Sequence, residues 1–239
     1  MLFKRPLPGR ARLFLWGGWG LFAIFVAFLV DGPVTRLFQL QPTDRLHWVA
    51  AFLSWIGDWP CILLAGLVGV LLPLLFVRRR AEFSRLLLLV LAAGMLSGFS
   101  ATIIRSATGR ARPDSNLPQG FYGFRSHSRW LVGKYEFGSF PSGHTATVVG
   151  LAAAAAWLLQ RRLALILAAF ALAVAWSRLA LGCHYFSDVV AATVWGFFAG
   201  PWIVGLLESR LRPRWAAWLI IRVKSRTEGQ LARGEIPAN

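Results

Sequence analysis

The sequence predicts an all-α fold, a polytopic membrane helix bundle with six transmembrane helices and one interfacial helix. Three observations lead to this prediction. Hydrophobic residues make up 56% of the 239 residues and the mean hydropathy is +0.56, which is too apolar for an ordinary soluble domain. Apolar stretches of about 17 residues or more recur along the chain and are typical of membrane spans. Basic residues fall in short clusters between these stretches, as in membrane proteins that follow the positive-inside rule.

The N-terminal part predicts one span and one surface helix. Span one covers residues 13–30 and is stopped by Asp31-Gly32-Pro33. Basic residues precede it and no clear cleavage site follows, so we interpret it as an uncleaved signal anchor. Residues 34–59 combine apolar residues at helical spacing with three tryptophans, which favours an amphipathic helix at the membrane interface. A re-entrant connector without a helix is the alternative.

Five further apolar stretches predict spans two to six. They cover residues 60–77, 86–104, 145–159, 163–181 and 189–207. The longest polar stretch, residues 105–143, separates spans three and four and is rich in Gly, Pro, Ser and Arg. We expect residues 1–239 to form a single membrane domain, with a core at about 60–207 and a basic cytoplasmic tail at about 208–239.

The positions of the charges predict the orientation of the chain. A net charge of +16 in a soluble protein would suggest nucleic-acid binding. Here most of the 26 Lys and Arg residues flank spans on the side that holds both termini. We therefore expect both termini to be cytoplasmic, the 105–143 segment to face outward, and no nucleic-acid partner.

The first candidate motif stands at the start of the outward segment. Arg105 is followed after six residues by Arg112 and Pro113. A guanidinium group can donate two parallel hydrogen bonds to phosphate oxygens and does not lose its charge. A basic loop beside lipid headgroups would give the same pattern, and this remains the alternative.

The second motif, Pro141-Ser142-Gly143-His144, lies directly before span four. A helix N-terminus presents free N–H groups and the positive end of the helix dipole. Gly143 would let an anion approach the backbone closely, Ser142 adds a hydroxyl donor, and His144 could protonate a departing oxygen. An ordinary Pro-Ser helix opening is the alternative.

The third motif consists of Ser177-Arg178, then His184 after five residues, then Asp188 after three. His184 and Asp188 are spaced i, i+4, which would place them on one face of a helical turn. A carboxylate bound to one imidazole nitrogen fixes the tautomer and makes the other nitrogen more nucleophilic. We therefore expect Asp188 within hydrogen-bonding reach of His184, with Arg178 as a third guanidinium for a phosphate.

Taken together, these motifs resemble the type 2 phosphatidic acid phosphatase superfamily, which includes lipid phosphate phosphatases, bacterial acid phosphatases and vanadium haloperoxidases. The family pattern is Lys-x6-Arg-Pro, then Pro-Ser-Gly-His, then Ser-Arg-x5-His-x3-Asp. The second and third motifs match in full. The first departs at Arg105, where the family usually has lysine, so the charge is kept while reach and fork geometry differ. The resemblance covers roughly residues 60–207.

The resemblance implies a metal-independent lipid phosphatase that acts through a phosphohistidine. It implies that His184 attacks phosphorus, that Asp188 orients it and stabilises the imidazolium, and that His144 protonates the leaving oxygen and then activates water. The residues expected to hold the phosphoryl oxygens are Arg105, Arg112, Ser142, Gly143 and Arg178. Phosphoryl transfer depends mainly on positioning and charge neutralisation. The outward acidic residues are scattered along the sequence, so we expect no metal and no other cofactor.

The expected partners are a lipid phosphate substrate and the surrounding membrane lipids. The candidate substrates are undecaprenyl diphosphate, phosphatidylglycerol phosphate, phosphatidate and lipid A phosphates. We expect a bacterial inner membrane location with the site facing the periplasm or exterior. A lipid phosphotransferase on the same scaffold and a non-enzymatic lipid-handling membrane protein are the alternatives. A disulfide between Cys61 and Cys183 is possible because both lie near the same membrane face.

Overall fold

The chain is mostly helical, as the sequence predicts. The computed structural model describes residues 10–76, 81–126, 128–159 and 161–211. Within these ranges the helices are α1 (Arg10–Leu29), α2 (Asp31–Phe38), α3 (Arg45–Ile56), α4 (Trp59–Phe76), α5 (Ala81–Thr108), α6 (Gly143–Leu158), α7 (Arg161–Ala180) and α8 (Phe186–Leu211). Two short antiparallel strands, β1 (Arg125–Ser126) and β2 (Arg129–Trp130), and a 3-10 helix at Tyr135–Phe137 lie between α5 and α6.

The helix lengths support four or five membrane spans. Among the described residues, α1, α5, α7 and α8 are each long and apolar enough to cross a membrane. The α3 and α4 helices together form a further candidate span, which is bent by 59° between them. The α6 helix has 16 residues, slightly short of the usual span. Predicted spans one, three, five and six therefore coincide with long apolar helices, whereas the full count of six is not reproduced.

The segment after the first span differs from the prediction. Helix α1 ends at Leu29, and Asp31, Gly32 and Pro33 open helix α2 instead of a loop. Proline is well tolerated in the first turn of a helix, because its missing N–H would have no partner there. Residues 34–59 thus contribute to two helices, α2 and α3, instead of one. Trp48 and Trp55 on α3 are exposed, as expected for an aromatic belt at an interface.

Helix α6 lies at the centre of the packing. It contacts α5 on one side and α7 on another, while α4 packs on α5 and α3 packs on α7. Glycines allow the closest approaches: a Cβ at Gly98 of α5 would lie 1.8 Å from Thr147 Oγ1, and one at Gly200 of α8 would lie 2.5 Å from the Gly150 carbonyl oxygen. Small residues of this kind let membrane helices pack backbone to backbone.

The compact unit that holds these contacts runs to Val204. Residues 205–211, assigned to a second unit, complete helix α8. The predicted basic tail lies outside the described residues from residue 212 onward, as do the first nine residues. Cys61 and Cys183 are both free thiols, so the possible disulfide between them is not formed.

Candidate active site

The C-terminal end of α7 directs His184 into the protein. Gly182 has a φ of +67°, a conformation that glycine adopts without steric cost. Its N–H donates to the Leu179 carbonyl at 2.9 Å, and the Cys183 N–H donates to the Arg178 carbonyl at 3.2 Å. These two bonds form a Schellman C-cap, which ends the helix and turns the chain. His184 follows immediately and is 0% exposed.

The His184 imidazole has one bonded nitrogen and one free nitrogen. Nδ1 lies 2.8 Å from the Ser139 carbonyl oxygen, and since a carbonyl can only accept, Nδ1 carries the proton. Nε2 is buried and has no hydrogen-bond partner among the described residues. Burial holds the pKa of His184 well below its usual value, and the charges of Arg178 and Arg112 lower it further. The ring is therefore neutral, with its lone pair on Nε2.

Asp188 does not make the predicted hydrogen bond to His184. Its Oδ2 lies 3.6 Å from Nδ1, which is beyond hydrogen-bonding distance. His184 precedes α8 and so does not share a helical face with Asp188, and the Ser139 carbonyl takes the ring N–H instead. Oδ2 of Asp188 accepts from the Ser139 hydroxyl and, at 2.8 Å, from the Tyr185 N–H. Asp188 thus bonds Ser139, whose carbonyl oxygen accepts from the imidazole, and Tyr185, the residue that follows His184.

Arg112 and Arg178 are each held by one hydrogen bond from a terminal guanidinium nitrogen. Arg112 donates from Nη1 to the Cys183 carbonyl at 3.3 Å, and its guanidinium carbon lies 4.0 Å from the Tyr135 ring centroid. Arg178 donates from Nη1 to the Ser54 hydroxyl. The Nε atoms of both arginines are buried without a hydrogen-bond partner among the described residues. Buried charged donors without partners are costly unless an anion binds them.

Arg105 joins the same cluster from the last turn of α5. A Cβ at Gly143 would lie 3.6 Å from Arg105 Nη1, so the guanidinium packs against the start of α6. A Cβ at Gly138 would likewise lie 3.6 Å from Arg112 Nη2. The positive charges of all three predicted arginines act on the His184 imidazole. The structure therefore brings the three arginines into the neighbourhood of the His184 ring.

The second motif forms the N-terminus of α6, as predicted. Ser142 precedes the helix and is fully buried, and Gly143 is its first residue. The Ser142 N–H donates to the Asp188 carbonyl at 3.2 Å, and Thr145 Oγ1 donates to Ser142 Oγ at 3.1 Å. The Ser142 hydroxyl proton therefore stays available as a donor. Helix dipole and free amides add to the positive field of the arginines.

His144 stands at the rim of the cluster beside an acidic residue. Its side chain is 22% exposed, and its Nε2 lies 3.3 Å from Oδ1 of Asp58, which is 50% exposed. Asp58 precedes α4 and accepts a hydrogen bond from the Trp59 N–H at 2.8 Å. Nothing in the local sequence of Asp58 marks it as a partner of a residue so far along the chain.

Arg110 is the main residue that the motifs do not identify. It is 1% exposed, and its guanidinium forms 2.6 Å ion pairs with Asp31 and with Asp188. Its Cζ lies 4.4 Å from the Tyr185 ring centroid and 4.9 Å from that of Phe28. The available signal was Asp31 at the end of an apolar stretch, since ionisable residues at such positions are usually paired.

Asp31 and Thr35 of α2 cap the N-terminus of α8. The Ser187 N–H donates to Asp31 Oδ1 at 2.7 Å, and the Phe186 N–H donates to Thr35 Oγ1 at 3.1 Å. These bonds satisfy amides that have no partner within the helix. Helix α2, Arg110 and the start of α8 thus form one hydrogen-bonded layer behind His184.

The site combines a neutral imidazole with a concentration of positive charge. Such an arrangement can hold a polyanionic group with its central atom beside Nε2, while His144 lies near the exposed side. Among the described residues, no three His, Cys, Asp or Glu side chains come together in a way that could hold a metal ion.

Comparison with known proteins identifies relatives of this chain. A family model described as the PAP2 superfamily matches residues 84–212. Proteins named lipid A 1-phosphatase from Rhizobium etli and Rhizobium johnstonii are each 41% identical to it over 103 residues, or 43% of this chain. These matches cover 42% and 40% of the relatives, so the chain matches less than half of their length.

Two solved structures share the fold. Aquifex aeolicus LpxE superposes with a TM-score of 0.54 at 16% identity, covering 74% of this chain and 95% of that one. A transmembrane PAP2-type phosphatidylglycerolphosphate phosphatase from Bacillus subtilis gives 0.52 at 19% identity, covering 83% and 98%. The family model spans more than half of the chain and contains all three motifs. The resemblance inferred from the motifs is therefore confirmed, and the chain belongs to the PAP2 superfamily.

Proposed function

We propose that the protein is an integral membrane lipid phosphatase that hydrolyses a phosphate or diphosphate monoester of a lipid through a phosphohistidine at His184. One observation carries the proposal: among the described residues, Nε2 of the buried, neutral His184 has no hydrogen-bond partner, and it lies in the field of three arginines, two of which have Nε donors that likewise lack partners there. Among the candidate lipids, a lipid A phosphate is favoured by the names of the two Rhizobium relatives.

In the first step, His184 Nε2 forms a bond to phosphorus while the bond from phosphorus to the lipid oxygen breaks. The electron pair of that bond goes to the lipid oxygen, which takes a proton from the His144 imidazolium. Arg105, Arg112 and Arg178 neutralise the equatorial oxygens, and Ser142 and the Gly143 amide donate to them. His184 keeps its Nδ1 proton, and the positive charge that develops on its ring is stabilised by the Ser139 carbonyl and by Asp188.

In the second step, water attacks the phosphohistidine. The neutral His144 accepts a proton from this water as the bond between phosphorus and Nε2 breaks. Inorganic phosphate leaves, His184 returns to its neutral form, and His144 is again an imidazolium. Each proton given in the first step is thus recovered in the second.

The proposed topology places six helical segments across a bacterial inner membrane, with α6 as the shortest and both termini in the cytoplasm. The site residues lie at the end of α5, the start of α6, the end of α7 and the start of α8. In an alternating bundle these four ends share one face, which basic flanking residues assign to the periplasmic or exterior side.

The test is phosphate release by the full-length protein in detergent, measured with EDTA across the four candidate lipids. We expect release from at least one lipid, inhibition by vanadate, and loss of activity below detection in His184→Ala. The His47→Ala variant, which removes a histidine from α3, should keep wild-type activity. Full activity of His184→Ala would contradict the nucleophile. A phosphorylated acceptor lipid with little free phosphate would indicate the phosphotransferase instead.

A further inference from the structure

We propose that Asp58 is a positioning residue that orients His144 and favours its protonated form for transfer of the proton to the lipid leaving oxygen. This inference rests on the proposed function, in which His144 is the general acid. The observation behind it is the 3.3 Å contact between His144 Nε2 and Asp58 Oδ1. The two residues are far apart in the sequence: Asp58 directly precedes α4, and His144 lies in the first turn of α6.

The charges around His144 make such a partner necessary. Burial of the ring comes first, and the positive charges of Arg178, Arg105 and Arg112 add to it, so that the pKa of His144 is lowered to about 4. Asp58 is the carboxylate that faces the ring, and its charge favours the imidazolium. A general acid needs its proton when the leaving oxygen departs, so Asp58 and the charge of a bound phosphate must act together against burial and the arginines.

The Asp58 carboxylate is held in place by the fold. Oδ1 also accepts from the Trp59 N–H at 2.8 Å, which fixes the side chain at the start of α4. The Trp59 indole N–H donates to Thr147 Oγ1 at 3.2 Å, one turn along α6 from His144. Asp58 and Trp59, at the start of α4, thus contact the first turns of α6, which places the Asp58 carboxylate beside His144.

The position of the pair matches the side from which a leaving group departs. Displacement at phosphorus is roughly in line, so the leaving oxygen lies opposite the nucleophile. His184 is fully buried, whereas His144 is 22% and Asp58 50% exposed. A nucleophile attacking from the interior leaves the lipid oxygen on the open side, where the His144–Asp58 pair lies.

The proton transfer is complete without any proton on Asp58. The His144 imidazolium gives its proton to the lipid oxygen as that oxygen separates from phosphorus, and the neutral ring later accepts a proton from the attacking water. Asp58 remains ionised throughout. Its effect is therefore largest for leaving groups that need a proton and small for those that depart as stable anions.

The test compares the full-length wild type with Asp58→Asn in detergent on two substrates, dioctanoyl phosphatidate and p-nitrophenyl phosphate. Asparagine keeps an oxygen acceptor for the Trp59 N–H and removes only the charge. Because Asp58 is half exposed and partly screened, we expect a loss of about threefold to tenfold in kcat for phosphatidate. The rate on p-nitrophenyl phosphate should stay within about twofold, since nitrophenolate leaves without a proton.

The pH dependence gives a second readout. Removal of the negative charge should shift the alkaline limb of the phosphatidate profile to lower pH by a few tenths of a unit. The Asp44→Asn variant is the matched control, because Asp44 is an exposed carboxylate that precedes α3 and bonds the Gln41 N–H. It should leave both rates and the profile unchanged. An equal loss on both substrates in Asp58→Asn would overturn the inference while leaving the phosphatase function intact.

A measurement independent of activity separates this inference from the proposed function. Hydrogen–deuterium exchange at the imidazole Cε1, followed by mass spectrometry across pH, gives the titration midpoint of His144. We expect a lower midpoint in Asp58→Asn than in the wild type and in Asp44→Asn. Identical midpoints would overturn the role of Asp58. A lower midpoint in a protein that releases no phosphate would support the pairing and reject the phosphatase.

Discussion

At the residue scale, His184 obtains its orientation from the main chain. The Ser139 carbonyl oxygen accepts a hydrogen bond from His184 Nδ1–H, with 2.8 Å between oxygen and nitrogen. This bond fixes the tautomer as a bond to a carboxylate would. Asp188 is then free to bond the Ser139 hydroxyl and the Tyr185 amide, while Arg110 balances its charge. The charged groups near the imidazole therefore have a net positive charge. This charge keeps the ring neutral and favours binding of a phosphate group.

The lowered pKa of His184 predicts a loss of stability in acid. An ordinary histidine in the unfolded chain takes up a proton near pH 6.5, whereas burial keeps His184 neutral in the folded state. Below that pH the unfolded state binds more protons, so the free energy of unfolding decreases as pH falls. We expect the fall in apparent Tm between about pH 7.5 and 5.5 to be smaller in His184→Asn than in wild type.

Asparagine is a suitable replacement because its amide N–H can still donate to the Ser139 carbonyl and does not titrate. His47→Asn serves as the control, since it removes a partly exposed histidine of α3, and it should keep the wild-type slope. Parallel pH dependences of wild type and His184→Asn would show that His184 is not the group responsible.

At the element scale, helix α2 stabilises the start of α8. Asp31 receives the Ser187 amide and the Arg110 guanidinium, and Arg110 continues to Asp188. All three charged side chains are buried. Removal of one member of a buried ion pair is costly because the remaining charge stays uncompensated.

Arg110→Met is therefore expected to destabilise the protein by about 3–5 kcal/mol, since it leaves two buried carboxylates without their cation. The double variant with Asp31→Asn removes one of those carboxylates and should be more stable than Arg110→Met alone. Apparent Tm in detergent, analysed as a double-mutant cycle, measures this coupling. Arg36→Met on the exposed face of α2 is the control. Additive effects of the two substitutions would contradict a shared network.

At the scale of the whole molecule, close contacts around α6 set the positions of the catalytic groups. Helix α5 approaches α6 at Gly98, and α8 approaches it at Gly196 and Gly200. Because lipid tails give little hydrophobic drive for helix association, such backbone contact supplies much of the packing energy. The same three helices carry Arg105, His144 and Asp188, so a shift between them would move the site.

Gly200→Ala tests this dependence. Its Cβ would lie 2.5 Å from the Gly150 carbonyl oxygen, a backbone atom that cannot rotate away. We expect destabilisation of about 1–3 kcal/mol together with reduced phosphate release. Gly69→Ala on α4 is the matched control, because no atom of the part of the chain that the structure describes lies within 4 Å of its Cβ position, and alanine should be neutral or slightly stabilising in a helix. A Gly200→Ala protein with wild-type Tm would refute the packing argument.

The sequence predicts the catalytic groups better than the framework that holds them. His184, His144 and the three arginines lie in motifs whose spacing is local, so they can be recognised along the chain. The ion-pair partners of Asp31, Asp58 and Arg110 lie 78 or more residues away along the chain, and the hydropathy pattern marks Asp31 only as the end of a span. Similarly, apolar length predicted six spans, because it cannot show that α3 and α4 bend or that α6 is short.

The acceptor for the His184 ring has a consequence for sequence variation. A main-chain oxygen is specified by no codon, so any amino acid at position 139 still presents it. Replacement of Ser139 by a residue of similar size, such as alanine, removes the hydroxyl that bonds Asp188 and leaves the carbonyl. Mutation at position 139 can therefore remove the hydrogen bond to Asp188, but a change of side chain does not by itself remove the carbonyl oxygen that accepts from His184 Nδ1–H.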